Sequence, residues 1–123
     1  MIYPVMAKLS VTDIDTTTLN QVTVIGTTDN GTEKFVPVFV TIICNTYNTV
    51  TSAGTISVGV AGTENDIISA QALTNLTAAG KLINVQVATC SQVSANVAID
   101  FKVTTASVAT RLSVDVHVYG FYK

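Results

Sequence analysis

Between Arg111 and Tyr119 the chain alternates almost without a break, Leu112, Val114, Val116 and Val118 interleaving with Ser113, Asp115, His117 and Tyr119. A period of two puts one set on each side of an extended backbone, so this segment reads as a β-strand with one apolar face. The same alternation recurs in segments separated by Gly, Asn, Asp, Ser and Thr, and 20 Thr and 19 Val supply β-branched side chains throughout. Branching at Cβ restricts χ1 and suits a pleated sheet better than a helix. The pattern predicts an all-β chain. Its 123 residues are enough for a single sandwich domain over 1–123 and too few for two cores.

Val5, Ala7, Leu9 and Val11 predict a first strand, and Leu19 to Ile25 a second. The Asn30-Gly31 pair tolerates the positive φ of a type I′ turn, which predicts an antiparallel hairpin between the second and third strands. In the third strand Val36, Val38, Val40 and Ile42 share one face, while Phe35, Phe39 and Ile43 share the other. Two apolar faces need two covers, one of them the core and the other a loop, a helical segment or a neighbouring subunit. Pro37 has no N–H for a ladder, which places it at an edge, a bulge or a strand start, and an edge near a subunit contact is the favoured reading. Thr55 to Val60 is a fourth strand.

One stretch breaks the period of two. Ile68, Ala72, Leu73, Leu76 and Ala79 follow a 3.6-residue spacing, with Thr63 and Asp66 spaced as in a capping box and Gly80 suited to the position after a helix. A short helical segment near residues 66–79 is expected. Ile83 to Val87 and Val97 to Val103 alternate again, and the second of these is expected to pair with the last strand, Phe101 opposite Val116 and Ile99 opposite Val118. The fold expected is a two-sheet antiparallel β-sandwich of jelly-roll or Greek-key type, with that one helical segment.

Charged residues make up only 11% of the chain against 48% hydrophobic, where soluble domains carry roughly 25% charge. Surplus apolar surface of this kind implies cover by partner chains. The net charge of −2 and the lack of any Lys/Arg cluster argue against direct nucleic-acid binding. Met1-Ile2-Tyr3-Pro4 lacks the basic start of a signal peptide, and no apolar run approaches the ~20 residues that span a bilayer. Cytosolic synthesis and no membrane association are expected.

Candidate chemistry is sparse. His117, Asp115 and Ser113 share a strand face, but residues two apart stand about 7 Å from each other, too far for the hydrogen bonds of a nucleophilic relay. Asp13 with Asp15, and Glu64 with Asp66, lack the spacing of a calcium loop and read as turn residues. Gly54 to Gly59 has no following Lys to cradle a phosphate. Cys44 and Cys90 lack metal or redox spacing and are expected to be two small buried thiols. No catalytic residue, cofactor or metal is expected. The chain has no Trp for a sugar platform, and its aromatics include Tyr3, Phe101 and a set, Phe35, Phe39, Tyr119, Phe121 and Tyr122, that forms the candidate interface with a subunit or partner.

Three stretches together carry a resemblance: Thr49 to Gly59, Asn65-Asp66-Ile67-Ile68 through Leu73 and Leu76 to Ala79-Gly80, and Arg111 to Phe121. From about residue 35 onward the chain resembles the small β-sandwich structural proteins of tailed bacteriophages that decorate or cement the capsid. His117 departs from the ordinary strand residue expected at its place. The resemblance implies a virion component on the capsid surface, acting as a homotrimer bound between major capsid protein subunits and made in the host cytoplasm. A tail, baseplate or head-fibre module is the alternative within viruses. A receptor- or glycan-binding sandwich is the alternative outside the shell.

Overall fold

A computed structural model of the chain describes residues 6–123, so Tyr3 and Val5 of the sequence reading lie outside the described residues. Among the described residues there are eight strands: β1 (Ala7–Asp15), β2 (Val22–Thr27), β3 (Phe35–Ser52), β4 (Thr55–Val60), β5 (Ile68–Ala72), β6 (Leu82–Gln86), β7 (Ala98–Thr105) and β8 (Val108–Tyr122). They form two four-stranded antiparallel sheets, ordered β1-β8-β3-β6 and β2-β7-β4-β5. The pairs β4·β5, β3·β6, β2·β7 and β1·β8 nest one outside another, as a long hairpin does when rolled up on itself. The fold is a two-sheet antiparallel β-sandwich.

The inner faces are the alternating sets. Leu112, Val114, Val116 and Val118 of β8 and Val40 and Ile42 of β3 have no exposure, and they meet Ile56 and Val58 of β4 and Ile99, Phe101 and Val103 of β7, equally buried. Burying a Val, Leu, Ile or Phe side chain stabilises by about 1.5–3 kcal/mol relative to leaving it in water. At one end of the sandwich a polar knot ties three connections together. Thr16 Oγ1 donates to the Leu112 carbonyl and lies 2.8 Å from Ser107 Oγ, which accepts the Gly54 N–H at 2.9 Å. Gly54 is obligatory there, since a Cβ would fall 1.9 Å from the Thr105 carbonyl oxygen.

Several sequence expectations are corrected. The Asn30-Gly31 segment makes no hairpin, because β2 and β3 belong to different sheets and neither residue has positive φ. The connection is instead tied to the loop before β7, with Thr28 N–H donating to Val97 O and Asn96 N–H to Asp29 O. β7 and β8 likewise lie in opposite sheets, so Phe101 pairs with Val58 and Thr23 rather than Val116. No helix forms over 66–79. Ile68–Ala72 is β5, paired with β4, and Leu73 and Leu76 reach the core from the turns that follow. Pairing with β4 overrides the local helical spacing. Gly80 does adopt positive φ, +89°, but after a turn rather than a helix.

Pro37 is not on an edge, since β3 runs between β8 and β6. It sits near the start of β3 at a bulge, where the register with β8 skips between Pro37 and Phe39. The bulge switches the parity of the strand. Phe35 and Pro37 point inward before it and Val40 and Ile42 after it, leaving Phe39 on the outside. Phe35 therefore belongs to the core, at 0% exposure, and is removed from the candidate interface.

Candidate functional site

The pairing aligns three cross-strand rows on the outer face of the β1-β8-β3-β6 sheet. Lys8, Tyr119, Phe39 and Gln86 form one; Ser10, His117, Thr41 and Asn84 the next; Asp115, Ile43 and Leu82 the third. Phe121 opposite Val36 continues the face toward the start of β3. Residues directly opposite one another share a face and touch, so these rows are contact units and not only a register.

The Phe39 and Tyr119 rings stack, their centroids 4.7 Å apart at 19°. Both are half-buried, as are Val36, Ile43, His117 and Phe121, while Leu82 is 53% exposed. The result is a mixed sheet face with an aromatic centre, in which Phe39, Tyr119, Phe121, Val36, Ile43 and Leu82 stand among polar side chains, with charges at Lys8 and Asp115 and a single histidine in its middle. The second sheet carries a smaller apolar spot on its own outer face, Val22 and Val24 of β2, both exposed.

Of the five aromatic residues assigned to the interface from sequence, Phe39, Tyr119 and Phe121 lie on this face. Tyr122 does not. It pairs with Phe35, packs its ring on that core residue at 5.3 Å, and accepts the Asp29 N–H on its hydroxyl at 2.9 Å. Its position closes the β2–β3 connection onto the end of the sandwich. Lys8, Thr41, Asn84 and Gln86 complete the face, and sequence reasoning missed them because their neighbours depend on strand order.

Asp115 Oδ1 accepts the Asp13 N–H at 2.8 Å and the Asn45 side-chain amide at 2.9 Å. Asp13 stands at the β1 bulge with φ 57° and pairs with Arg111 at 2.9 Å, and that guanidinium holds its carboxyl below the ordinary value. His117 Nδ1 is buried without a hydrogen-bond partner, and so is Ser113 Oγ. No hydrogen bond joins Ser113, Asp115 and His117 into a relay. Cys44 and Cys90 are free thiols, the first buried and the second half-exposed, which corrects the expectation that both are buried. Burial, more than the nearby Asp115 or Asp66, pushes both thiols up from their usual value. Among the described residues no group of three or more His, Cys, Asp or Glu is arranged to hold a metal ion.

Fold and face together describe a small β-sandwich with an aromatic-centred outer sheet surface. No protein-family model matches the chain, and no curated protein matches it. Among solved structures it is similar to a chain described as "Cyanophage Pam1 capsid asymmetric unit", with a TM-score of 0.58 and 20% identity over 94% of this chain and 82% of that one. At this identity the likeness establishes a shared fold.

Proposed function

We propose that this chain is a structural protein of a tailed-bacteriophage virion, a capsid decoration or cement protein. It sits on the capsid surface as a homotrimer and stabilises the head by binding between major capsid protein subunits. The observation that carries the reading is the outer face around the stacked Phe39 and Tyr119, whose aromatic and aliphatic side chains stay half-open on an isolated chain. Half-covered aromatic and aliphatic side chains gathered on one sheet face are suited to contacts with other chains. The low charge content points the same way, and the shared fold with a chain of a cyanophage capsid supports a place in the shell.

Burial of that face supplies the binding free energy, and specific interfaces bury about 1,200–2,000 Å² in total. Clamping adjacent shell subunits then opposes their separation under internal pressure. The reading gives the chain no enzymatic role and no cofactor. Asp115 is committed to Asp13 and Asn45, and His117 acts as a member of a contact surface.

The test is reconstitution. Purified chain is added to phage heads lacking it, and attachment is read by co-sedimentation and by electron microscopy of the labelled protein. Trimers in solution or on the shell, at copy numbers that follow the capsomers, support the proposal. A monomer that never attaches to heads defeats it, and a label found only on the tail moves the chain to the tail or baseplate.

A further inference from the structure

The sandwich has four edge strands among the described residues, β1 and β6 on one sheet and β2 and β5 on the other. An edge strand exposes a row of unpaired N–H and C=O groups, and folded proteins blunt such rows with bulges, charges or cover. Three of the four edges carry such a device. β1 has Lys8 and a bulge between Val11 and Ile14. β2 is bulged between Val24 and Gly26, and there the sheets close on each other, Leu9 Cδ2 lying 3.1 Å from where a Gly26 Cβ would stand. β5 is bulged against β4, with Ala70 in the left-handed conformation at φ 50° and its N–H donated to Ser57 Oγ.

β6 has none of these. Leu82-Ile83-Asn84-Val85-Gln86 contains no charge and no proline, and its register with β3 runs without a shift. β5 does not cover it, because a groove lined by Ile68, Gln71, Val85 and Thr89 separates the two strands. Leu82, Asn84 and Gln86 are exposed.

The two ends of the β3–β6 ladder fix which backbone groups are free. Cys44 N–H donates to Lys81 O at 2.8 Å, and Val87 N–H donates to Val38 O at 2.9 Å, so residues 81 and 87 turn toward β3. Hydrogen-bonded and non-hydrogen-bonded pairs alternate along an antiparallel ladder. Ile83 and Val85 therefore also bond to β3, while Leu82, Asn84 and Gln86 turn their N–H and C=O groups away from the sheet. Among the described residues no backbone group meets them there.

This row is complementary to itself. Setting Asn84 of one copy opposite Asn84 of a second, in antiparallel sense, places Leu82 opposite Gln86 and Gln86 opposite Leu82. Every outward N–H then meets an outward C=O. Lys81, the charge that adjoins the strand, falls opposite Val87, so no like charges face each other. The two-fold axis of such a pair stands perpendicular to the sheet, which puts both Phe39–Tyr119 stacks on the same side.

We propose that β6 is a self-pairing edge: two copies of this chain join through antiparallel β6 strands about a two-fold axis at Asn84, and their β1-β8-β3-β6 sheets become one continuous sheet. The contact is isologous, each copy giving and receiving the same bonds. It goes beyond the shell reading, because it links copies that a three-fold contact leaves apart. It also doubles the width of the outer aromatic face.

The experiment is sedimentation equilibrium of the full chain and its variants, with folding checked by circular dichroism. The native chain is expected to contain an even number of copies. Asn84→Pro removes the outward N–H at the axis and sets a ring in the path of the second copy. The β3 ladder does not use that N–H, so the variant should stay folded at half the native mass. Asn84→Lys and Asn84→Glu change only an exposed side chain and carry the test should Asn84→Pro fail to fold. Each alone should self-associate several-fold more weakly, since like charges meet at the axis, and an equal mixture of the two should restore native association. Ser10→Lys, exposed on the bulged β1 edge, should keep the native mass. A native chain that stays monomeric or trimeric leaves the edge to a strand of another protein and overturns the self-pairing. A folded Asn84→Pro of native mass overturns it too, as does a mixture no tighter than its parts. Lost association in Ser10→Lys also does so, since the contact would then run from β6 to β1 of the next copy.

Discussion

The Phe35 ring packs directly beneath Gly120, where a Cβ would lie 2.7 Å from its Cζ and 2.2 Å from the Val36 carbonyl oxygen. The bulge after Pro37 turns Phe35 inward, and the missing side chain at Gly120 leaves room for it. Gly120→Ala is therefore expected to destabilise the fold by about 1–3 kcal/mol through overpacking. Urea denaturation checks this, with a lower midpoint at an unchanged slope. A stability equal to that of the native chain would mean that the β3 end gives way more easily than its packing implies.

Ser107 has a comparable role at the other end of the sandwich. Its hydroxyl links Thr16 Oγ1 to the Gly54 N–H, and both it and Thr16 are buried. Ser107→Ala strands the Gly54 donor and costs about 1–3 kcal/mol. Thermal melting should show the loss, and Ser107→Ala combined with Thr16→Val should cost less than the two changes summed, since they break one network.

How far the sequence foretold this molecule depends on which residue is asked. The period of two in β8 names its buried set, Leu112, Val114, Val116 and Val118, and also puts Tyr119 outside. Alternation fails at Phe35 because one bulge at Pro37 shifts every side chain before it to the other face. It fails over 66–79 because Leu73 and Leu76, three apart, mimic a helix face while sitting in turns that reach the core. The Asn30-Gly31 signal is local, whereas the pairing it would serve is decided by Thr28 and Asn96 bonding to segments far along the chain. The site divides in the same way. Phe39 and Tyr119 are legible as outward aromatics, but that they stack on each other follows from β3 and β8 being neighbours. Asp100 alternates outward from the core between Ile99 and Phe101, yet it is only 6% exposed, which the period of two does not foretell.

The ion pair of Asp13 and Arg111 makes one part of the fold respond to pH. Arg111, at 2.9 Å, holds the Asp13 carboxyl below its ordinary value of 3.8, so the folded state favours the ionised form. The stabilisation is present above the unfolded value and disappears as pH falls through the folded one. Both side chains are largely open to water, at 39% and 55% exposure, so salt screens the pair. Arg111→Gln is expected to raise the Asp13 titration midpoint, followed by carboxyl-carbon NMR, and to leave melting at neutral pH nearly unchanged. A midpoint that does not move would assign the shift to the bulge backbone instead.

Phe39→Asp separates assembly from folding. Phe39 stands on the outer face, half-buried against Tyr119, so an introduced carboxylate can reach water there. The variant loses the ring stack, worth about 0.5–1.5 kcal/mol beyond its area, and should melt lower while remaining folded. Val40→Asp, one residue along and with no exposure, places its charge in the core and should not fold at all. Attachment to phage heads should then be abolished by Phe39→Asp at temperatures where circular dichroism shows a native sandwich. A Phe39→Asp chain that binds heads as well as the native one would remove this sheet face from the contact and leave Val22 and Val24 on the second sheet as the surface to test.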